Sequence, residues 1–235
     1  MSPSPVEEKG TSTRRALSST RRSALGLAAG LGALALAAGV IALAANGSSR
    51  PAPASPGSGP YRGSEPPAGI QLPSFELTSY RGPRATSDEL RGRVLLLTLL
   101  DSQCTDACPV LASVVARSVD RLTPAERSQV RAVAVTVDPA EDTPANVRRF
   151  LRARRAEGRL DYLLGSEREL RPLWNALQIL PSLDSGHDNL HSAPLRLYNR
   201  GGAWVATLHA GADLNEENLL HDIRVALRAR PDTTS

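Results

Sequence analysis

A run of seven residues, Val94–Leu100, constrains the fold more than any other part of the chain. It reads Val-Leu-Leu-Leu-Thr-Leu-Leu, with no regular alternation of polar and apolar residues. Such a run is typical of a central β-strand that is buried on both faces, whereas a strand with one solvent-facing side would alternate. The sequence therefore predicts an α/β domain in which helices cover both faces of a sheet.

Both cysteines of the chain follow this run closely, in the segment Cys104-Thr105-Asp106-Ala107-Cys108-Pro109. The proline suits the first turn of a helix. Apolar residues then recur at helical spacing, namely Val110, Leu111, Val114, Val115, Val119 and Leu122. The two thiols are therefore expected between the end of a buried strand and the start of a helix.

Two thiols in this position can perform disulfide exchange or hold a soft metal ion. A purely structural disulfide is the less favoured interpretation, because closing so short a loop removes little entropy from the unfolded chain. The positive end of a helix that begins around Pro109 is expected to lower the pKa of nearby thiols. That effect would favour metal binding and thiol reactivity together.

The remaining segments continue the series of strands and helices. In chain order, the pattern predicts a strand at 75–77, a turn at 81–83, a buried strand at 130–137, a helix starting at Asp142-Thr143-Pro144, a strand at 162–164, a helix from a Ser166/Glu169 capping box to about Leu177, a hairpin of strands 195–198 and 203–208, and a last helix starting at Asn215. This order is that of a thioredoxin-like domain, with a central mixed sheet flanked by helices.

The distribution of charge argues against a nucleic-acid partner. The formal net charge is +4 at pH 7, but residues 1–22 carry +3 of it and the rest of the chain only +1. Nucleic-acid binding needs a concentrated basic face, preferably interleaved with aromatic residues. Only 3% of this chain is aromatic.

No charged residue occurs at 23–45, a stretch rich in Leu, Ala and Gly. About 20 apolar residues can span a bilayer as a helix, and the arginines before the stretch place the N-terminus in the cytoplasm. We expect a transmembrane anchor rather than a cleaved signal peptide, because the run is longer than a usual signal core, although Ala-Leu-Ala at 42–44 could serve as a cleavage site. In both cases the rest of the chain lies on the extracytoplasmic side of a bacterial-type cytoplasmic membrane.

The predicted organisation has five parts: a basic cytoplasmic N-terminus at 1–22, the anchor at 23–45, a Pro/Gly/Ser-rich tether at 46–60, the thioredoxin-like domain at 61–229 and a disordered tail at 230–235. The tether composition cannot build a hydrophobic core. Its extended parts would hold the domain several tens of ångströms from the membrane, at roughly 3 Å per residue.

Four segments, in this order, resemble the signature of the Sco/SenC family. They are Gly-Arg-Val-Leu-Leu at 92–96, Cys-Thr-Asp-Ala-Cys-Pro at 104–109, Val-Asp-Pro-Ala-Glu-Asp-Thr-Pro at 137–144 and His-Ser at 191–192, within a match over about 61–229. The resemblance implies a membrane-tethered thioredoxin-like domain that delivers copper to the binuclear copper centre of cytochrome c oxidase. It implies Cys104, Cys108 and His191 as copper ligands, and the copper-bearing oxidase subunit or another copper chaperone as the partner.

The chemistry of these residue types agrees with copper. Thiolates are soft donors that suit Cu(I), and an imidazole as third ligand also accommodates Cu(II). A structural zinc site would usually require four protein ligands, and the chain has no second pair of cysteines.

Other polar residues near these motifs have weaker interpretations. His187 is expected to be a solvated loop residue, with an occasional role as ligand as the alternative, and His209 and His221 are expected to be ordinary structural or surface residues. Asp106 and Asp138 match the family pattern, and are expected to fix the loop of the cysteines through hydrogen bonds to the backbone rather than to bind metal.

Two functions follow from the cysteine pair, and whether the protein is an enzyme stays open between them. The favoured one is a copper metallochaperone. The alternative is a thiol-disulfide oxidoreductase in which Cys104 attacks and Cys108 resolves, keeping the cysteines of a partner reduced for metallation. Redox-active thioredoxin relatives more often have two residues between their cysteines, and they have no evident need for His191.

Overall fold

The structure of the chain, a computed structural model, describes residues 59–178 and 194–229. All of these residues belong to one unit of the chain, Pro53–Ser235. None of the helices in the described ranges is long and apolar enough to cross a membrane. The predicted anchor at 23–45, the tail at 230–235, His187 and His191 lie outside the described residues.

The described residues form a seven-stranded sheet with helices on both faces. The strands are β1 (Glu76–Ser79), β2 (Arg84–Thr86), β3 (Val94–Leu100), β4 (Val130–Thr136), β5 (Asp161–Leu164), β6 (Pro194–Tyr198) and β7 (Trp204–His209). The helices are α1 (Ser87–Leu90), α2 (Ala107–Asp120), α3 (Pro124–Ser128), α4 (Pro144–Ala153), α5 (Glu167–Ala176) and α6 (Glu216–Arg228).

The sheet has the strand order β2-β1-β5-β4-β3-β6-β7 and is mixed. Strands β3, β4 and β5 run parallel, while β1, β2, β6 and β7 pair with their neighbours in antiparallel fashion. The register of β3 and β4 runs from Val94 opposite Val130 to Leu100 opposite Thr136. The carboxyl ends of the parallel strands therefore lie at one edge of the sheet, where the cysteines follow β3.

Strand β3 lies inside the sheet, and all seven of its residues are buried. Its side chains alternate between two hydrophobic cores. Leu96 and Leu100 join the core beneath α2, α4 and α6, whereas Leu95, Leu97 and Leu99 join the core beneath α5. The prediction of a central strand buried on both faces is confirmed, because each face of β3 is covered by helices.

The predicted helix starts are confirmed by their hydrogen bonds. The side chain of Thr143 caps α4, and Pro144 occupies the first helical position. Ser166 caps α5 in a complete capping box with Glu169. Asn215 caps α6. Each cap supplies an acceptor for a backbone N–H that has no partner within its helix.

Two features of the fold were not predicted. The short elements β2, α1 and α3 have three, four and five residues, too few to show a hydrophobic period. The side chain of Val110 is 50% exposed instead of joining the buried face of α2. Successive helical residues are about 100° apart, and the buried face of α2 follows Cys108, Leu111 and Val115.

The start of the described chain is fixed to α6 and β7. The carboxylate of Asp222, which is fully buried, accepts hydrogen bonds from the backbone N–H groups of Arg62 at 2.8 Å and Gly63 at 2.9 Å. Ser64 then forms an antiparallel bridge with Thr207 of β7. A buried carboxylate thus holds two backbone amides of a segment that is distant in sequence.

Candidate metal centre

Cys104 and Cys108 lie where the sequence predicts them, after β3 and at the start of α2. Residues 101–106, the cysteine loop, connect β3 to α2, so Cys104 is in this loop and Cys108 is in the first turn of α2. Both are reduced thiols. Cys104 is 5% exposed and Cys108 is fully buried, and both side chains belong to the core beneath α2.

The two thiols are in contact with each other. A hydrogen bond with the Cys104 thiol, followed by burial, raises the pKa of Cys108 above its ordinary value. The prediction that the helix N-terminus lowers the pKa of the nearby thiols is wrong for Cys108, because contact with a second sulfur and desolvation outweigh the helix dipole.

Asp101 fixes the first half of the cysteine loop. Its side chain accepts a hydrogen bond from the backbone N–H of Gln103 at 2.6 Å, and its carbonyl oxygen accepts one from the N–H of Cys104 at 3.3 Å. Burial raises the pKa of Asp101, and the nearby charges of Asp142 and Asp138 raise it further. The sequence signal for this residue is a carboxylate directly after a strand whose residues are apolar except for Thr98.

Asp142 connects the cysteine loop to two other strands. It is 4% exposed, and its Oδ1 accepts a hydrogen bond from the backbone N–H of Ser102 at 2.8 Å. Its Oδ2 accepts from the hydroxyls of Thr136 and Tyr162, both at 2.6 Å. The sequence pattern identifies Asp142 only as part of a helix start. Thr143 makes the cap of that helix. Aspartate is also a residue of the capping type, so its presence directly before a working cap is the sequence signal for another role of Asp142.

Asp138 differs from its expectation, whereas the expectation for Asp106 stays a prediction. Asp106 precedes α2 but makes no capping hydrogen bond with its side chain. Asp138 accepts hydrogen bonds from the N–H groups of Ala140 and Glu141, so it closes its own turn after β4 instead of holding the cysteine loop. A side chain that can bond its own backbone two or three residues later does so at low entropic cost.

The described histidines take no part in the cysteine site. His209 is exposed, and its Nδ1 lies 3.9 Å from Asp213. His221 is hydrogen-bonded through Nδ1 to Asp222 at 2.9 Å. Over residues 59–178 and 194–229, no three side chains of His, Cys, Asp or Glu are grouped so that they could hold a metal ion. The structure thus brings together two of the three predicted ligands, and the third, His191, stays a prediction.

Comparison with known proteins gives a family match over most of the chain. A family model described as SCO1/SenC matches residues 64–228. A protein of Stutzerimonas stutzeri that is named for copper binding is 30% identical over 148 residues, covering 61% of this chain and 72% of that protein. A SCO2-like protein of Rickettsia typhi is 23% identical over 159 residues, covering 64% of this chain and 75% of that protein.

Solved structures share the same fold. Yeast Sco1 gives a TM-score of 0.58 at 20% identity, covering 69% of this chain and 97% of that chain. Bradyrhizobium japonicum ScoI with copper bound gives 0.54 at 24% identity, covering 66% and 99%. BsSco, described as a member of the Sco family with a disulfide switch, gives 0.60 at 19% identity, covering 71% and 99%. The prediction of a thioredoxin-like α/β fold with a mixed sheet is confirmed.

Proposed function

Because the chain belongs to the SCO1/SenC family, which comprises copper-binding proteins involved in cytochrome c oxidase assembly, we propose that it is a copper metallochaperone. Cys104, Cys108 and His191 hold the copper ion, and the protein delivers it to the binuclear copper centre of the oxidase. The observation that carries this proposal is the pair of thiols in mutual contact at the carboxyl end of β3.

The environment of the thiols suits a soft ion. Two sulfurs in contact offer a preorganised pair of donors for Cu(I), and their burial excludes competing water ligands. The raised pKa of Cys108 means that copper must displace a proton from this thiol. We therefore expect copper affinity to fall as the pH is lowered, since metal and proton compete for the same sulfur.

The topology supports His191 as the third ligand. Strand β6 runs antiparallel to β3, with Arg196 opposite Leu97. Its first residue, Pro194, is therefore at the edge of the sheet where the cysteine loop follows β3. His191 is three positions before Pro194 in the sequence. An imidazole nitrogen added to two sulfurs would let the site accept both Cu(I) and Cu(II).

The cellular setting is part of the proposal. The apolar stretch at 23–45 anchors the chain in a bacterial-type cytoplasmic membrane, and the tether at 46–60 holds the domain on the extracytoplasmic side. The recipient is the copper-bearing subunit of the oxidase, or a second copper chaperone. Support comes from the charge distribution of the sequence and from the family to which the chain belongs.

The contact between the thiols also favours a second candidate function, thiol-disulfide exchange with a partner. Cys104 would attack, because it is the more exposed of the two, and the buried Cys108 would resolve the mixed disulfide. The related BsSco is described as having a disulfide switch. This function requires both sulfurs but not the imidazole of His191.

Variants of the three predicted ligands separate the two functions. The purified, reduced protein should bind about one Cu(I) per chain, and Cys104→Ser or Cys108→Ser should abolish tight binding, because one thiolate is too few soft donors. His191→Ala should weaken copper binding, Cu(II) most of all, while the rate of exchange with a small-molecule disulfide stays at the wild-type value. His209→Ala, at an exposed histidine, is the control.

Two results would decide against the metallochaperone. Unchanged copper retention in both cysteine variants would eliminate the metal site. Normal copper binding and normal oxidase assembly in His191→Ala cells, combined with loss of exchange and assembly in Cys108→Ser cells, would favour the oxidoreductase and remove His191 from the site.

A further inference from the structure

The structure contains two buried carboxylates that hold backbone amides of remote segments. Asp222 binds the N–H groups of Arg62 and Gly63 at the start of the domain. Asp142 binds the N–H of Ser102 in the cysteine loop, 40 positions away in sequence. They are similar in burial, at 0% and 4% exposed. They differ in that only Asp142 contacts the segment that carries a cysteine.

Asp142 joins three elements at the edge of the sheet. Oδ1 binds the cysteine loop, and Oδ2 binds Thr136 at the end of β4 and Tyr162 in β5. The hydroxyl of Tyr162 also lies 2.7 Å from the carbonyl oxygen of Leu100, the last residue of β3. The carbonyl oxygen at the end of β3 and the N–H of Ser102 in the loop are therefore bound to the same pair of buried side chains, Asp142 and Tyr162.

We propose that Asp142 is a positioning residue that holds Cys104 and Cys108 at the separation needed for ligating copper or closing a disulfide. The copper part rests on the proposed function, whereas the disulfide part depends only on the two thiols. Ser102 is two residues before Cys104, so a shift of this amide moves the sulfur of Cys104 directly. The backbone of Cys108 is held by α2, while its thiol contacts the thiol of Cys104 and the backbone of Asp101 in the loop.

Removal of the carboxylate leaves two buried donors without their acceptor, because the hydroxyl of Tyr162 can still donate to the carbonyl oxygen of Leu100. The N–H of Ser102 and the hydroxyl of Thr136 would have to find water or reorient, and the simplest relief is movement of the loop. The amide of an asparagine would retain the essential contact, because its carbonyl oxygen can accept from Ser102 while its NH₂ group donates to the hydroxyl oxygens. The loop should therefore tolerate Asp142→Asn and not Asp142→Ala.

The test compares Asp142→Ala with the matched control Asp222→Ala and the conservative variant Asp142→Asn, all in the full chain. One readout is the equilibrium with oxidised and reduced glutathione. Oxidised glutathione takes two electrons and two protons from the thiols of Cys104 and Cys108, becoming two reduced glutathiones as the protein S–S bond forms. The other readouts are Cu(I) affinity, the thiolate-to-Cu(II) charge-transfer absorption and the melting temperature.

We expect Asp142→Ala to lower the equilibrium constant for disulfide formation about tenfold, which raises the reduction potential by about 30 mV. Cu(I) affinity should also fall about tenfold, as expected when a charge-assisted hydrogen bond no longer holds the loop. The charge-transfer band of the Cu(II) form should shift. Asp222→Ala should lower the melting temperature comparably while both constants stay within about twofold of the wild type, and Asp142→Asn should resemble the wild type in all readouts.

Three outcomes would overturn the positioning role. They are a folded Asp142→Ala protein with wild-type redox equilibrium, an Asp222→Ala protein with the same redox change, and an Asp142→Asn protein as impaired as Asp142→Ala. If Asp142→Ala does not fold, the redox equilibria of Asp142→Asn and Tyr162→Phe are compared instead. Tyr162→Phe removes a hydroxyl that fixes the carboxylate of Asp142, so it should shift the equilibrium, whereas Asp142→Asn should not. No shift in Tyr162→Phe would then overturn the positioning role. A wild-type protein that binds no copper would refute the proposed function and leave the redox test of Asp142 intact.

Discussion

At the scale of single residues, Cys104 and Cys108 differ although they are only four positions apart. Cys108 is fully buried in α2 and its pKa is raised by the contact with Cys104 and by burial. Cys104 keeps 5% exposure in the loop. Exposure and thiolate character both control the reactivity of a thiol, so the two sulfurs are expected to react at different rates.

The first prediction concerns this difference. In the reduced, metal-free protein, iodoacetamide should modify Cys104 at least about tenfold faster than Cys108, because only the thiolate reacts and only Cys104 is reachable. Mass spectrometry of peptides after brief labelling measures the order. Labelling in urea, which exposes both thiols, should remove the preference. A first adduct on Cys108 in the folded protein would contradict the geometry of the site.

The second prediction concerns the hydroxyl of Tyr162. Tyr162→Phe removes a buried donor shared by Asp142 and the carbonyl oxygen of Leu100, so the free energy of unfolding should fall by about 1–3 kcal/mol. Urea titration measures it. Tyr80→Phe is the control, because the hydroxyl of Tyr80 accepts from the partly exposed Arg81. Equal losses in the two variants would show that the buried network adds nothing.

At the scale of elements, helix starts position the site. Helix α4 begins with Thr143 as its cap and Pro144 at the first position, directly after Asp142. The oxygen of Thr143 accepts a hydrogen bond from the N–H of Asn146 at 3.2 Å. The cap thus fixes the direction in which α4 leaves the turn, and the carboxylate of Asp142 points back into the sheet edge, where it meets Ser102.

The third prediction tests this cap. Thr143→Ala should lower the free energy of unfolding by about 1 kcal/mol, because a backbone N–H at the helix start loses its acceptor. Thr143→Ser keeps the hydroxyl and should stay near the wild-type value. Chemical denaturation followed by circular dichroism gives both values. A serine variant as unstable as the alanine variant would indicate that the methyl group, rather than the cap, stabilises this turn.

At the scale of the whole molecule, the segment before β1 closes the domain against α6. Tyr61 lies next to the amides of Arg62 and Gly63 that Asp222 binds. Burial, followed by the charges of Asp222 and Glu65, raises the pKa of Tyr61 from 10.0 to about 12. The folded protein therefore retains a proton on this hydroxyl over a range of pH in which the unfolded chain loses it.

The fourth prediction follows from this shift. Between about pH 10 and 12, the folded state binds more protons at Tyr61 than the unfolded state, so this residue makes stability fall as the pH rises. Tyr61→Phe should make the loss of stability less steep over that window and leave it unchanged below about pH 9. Urea unfolding at a series of alkaline pH values provides the slopes. If the free energy of unfolding has the same slope against pH in the two proteins, the pKa of Tyr61 is not raised by folding.

The sequence alone determined those parts of the fold that depend on local patterns. The run of β3 is suited to burial on both faces, because its single polar residue, Thr98, does not create the alternation of a strand with one face toward water. The caps at Thr143, Ser166 and Asn215 were readable because a helix start needs an acceptor within three residues. The place of the cysteines, between a strand and a helix, followed from the same two patterns.

Tertiary structure alone decided the properties of the site that depend on residues distant in sequence. Asp142 binds Ser102 and Tyr162 because the parallel register of β3, β4 and β5 brings three segments to one edge, and no local pattern encodes that meeting. The raised pKa of Cys108 likewise depends on burial and on the position of a second sulfur. Local sequence fixes where chain segments begin and end, whereas desolvation and contact between segments, which set the chemistry of these thiols, arise only when the sheet assembles.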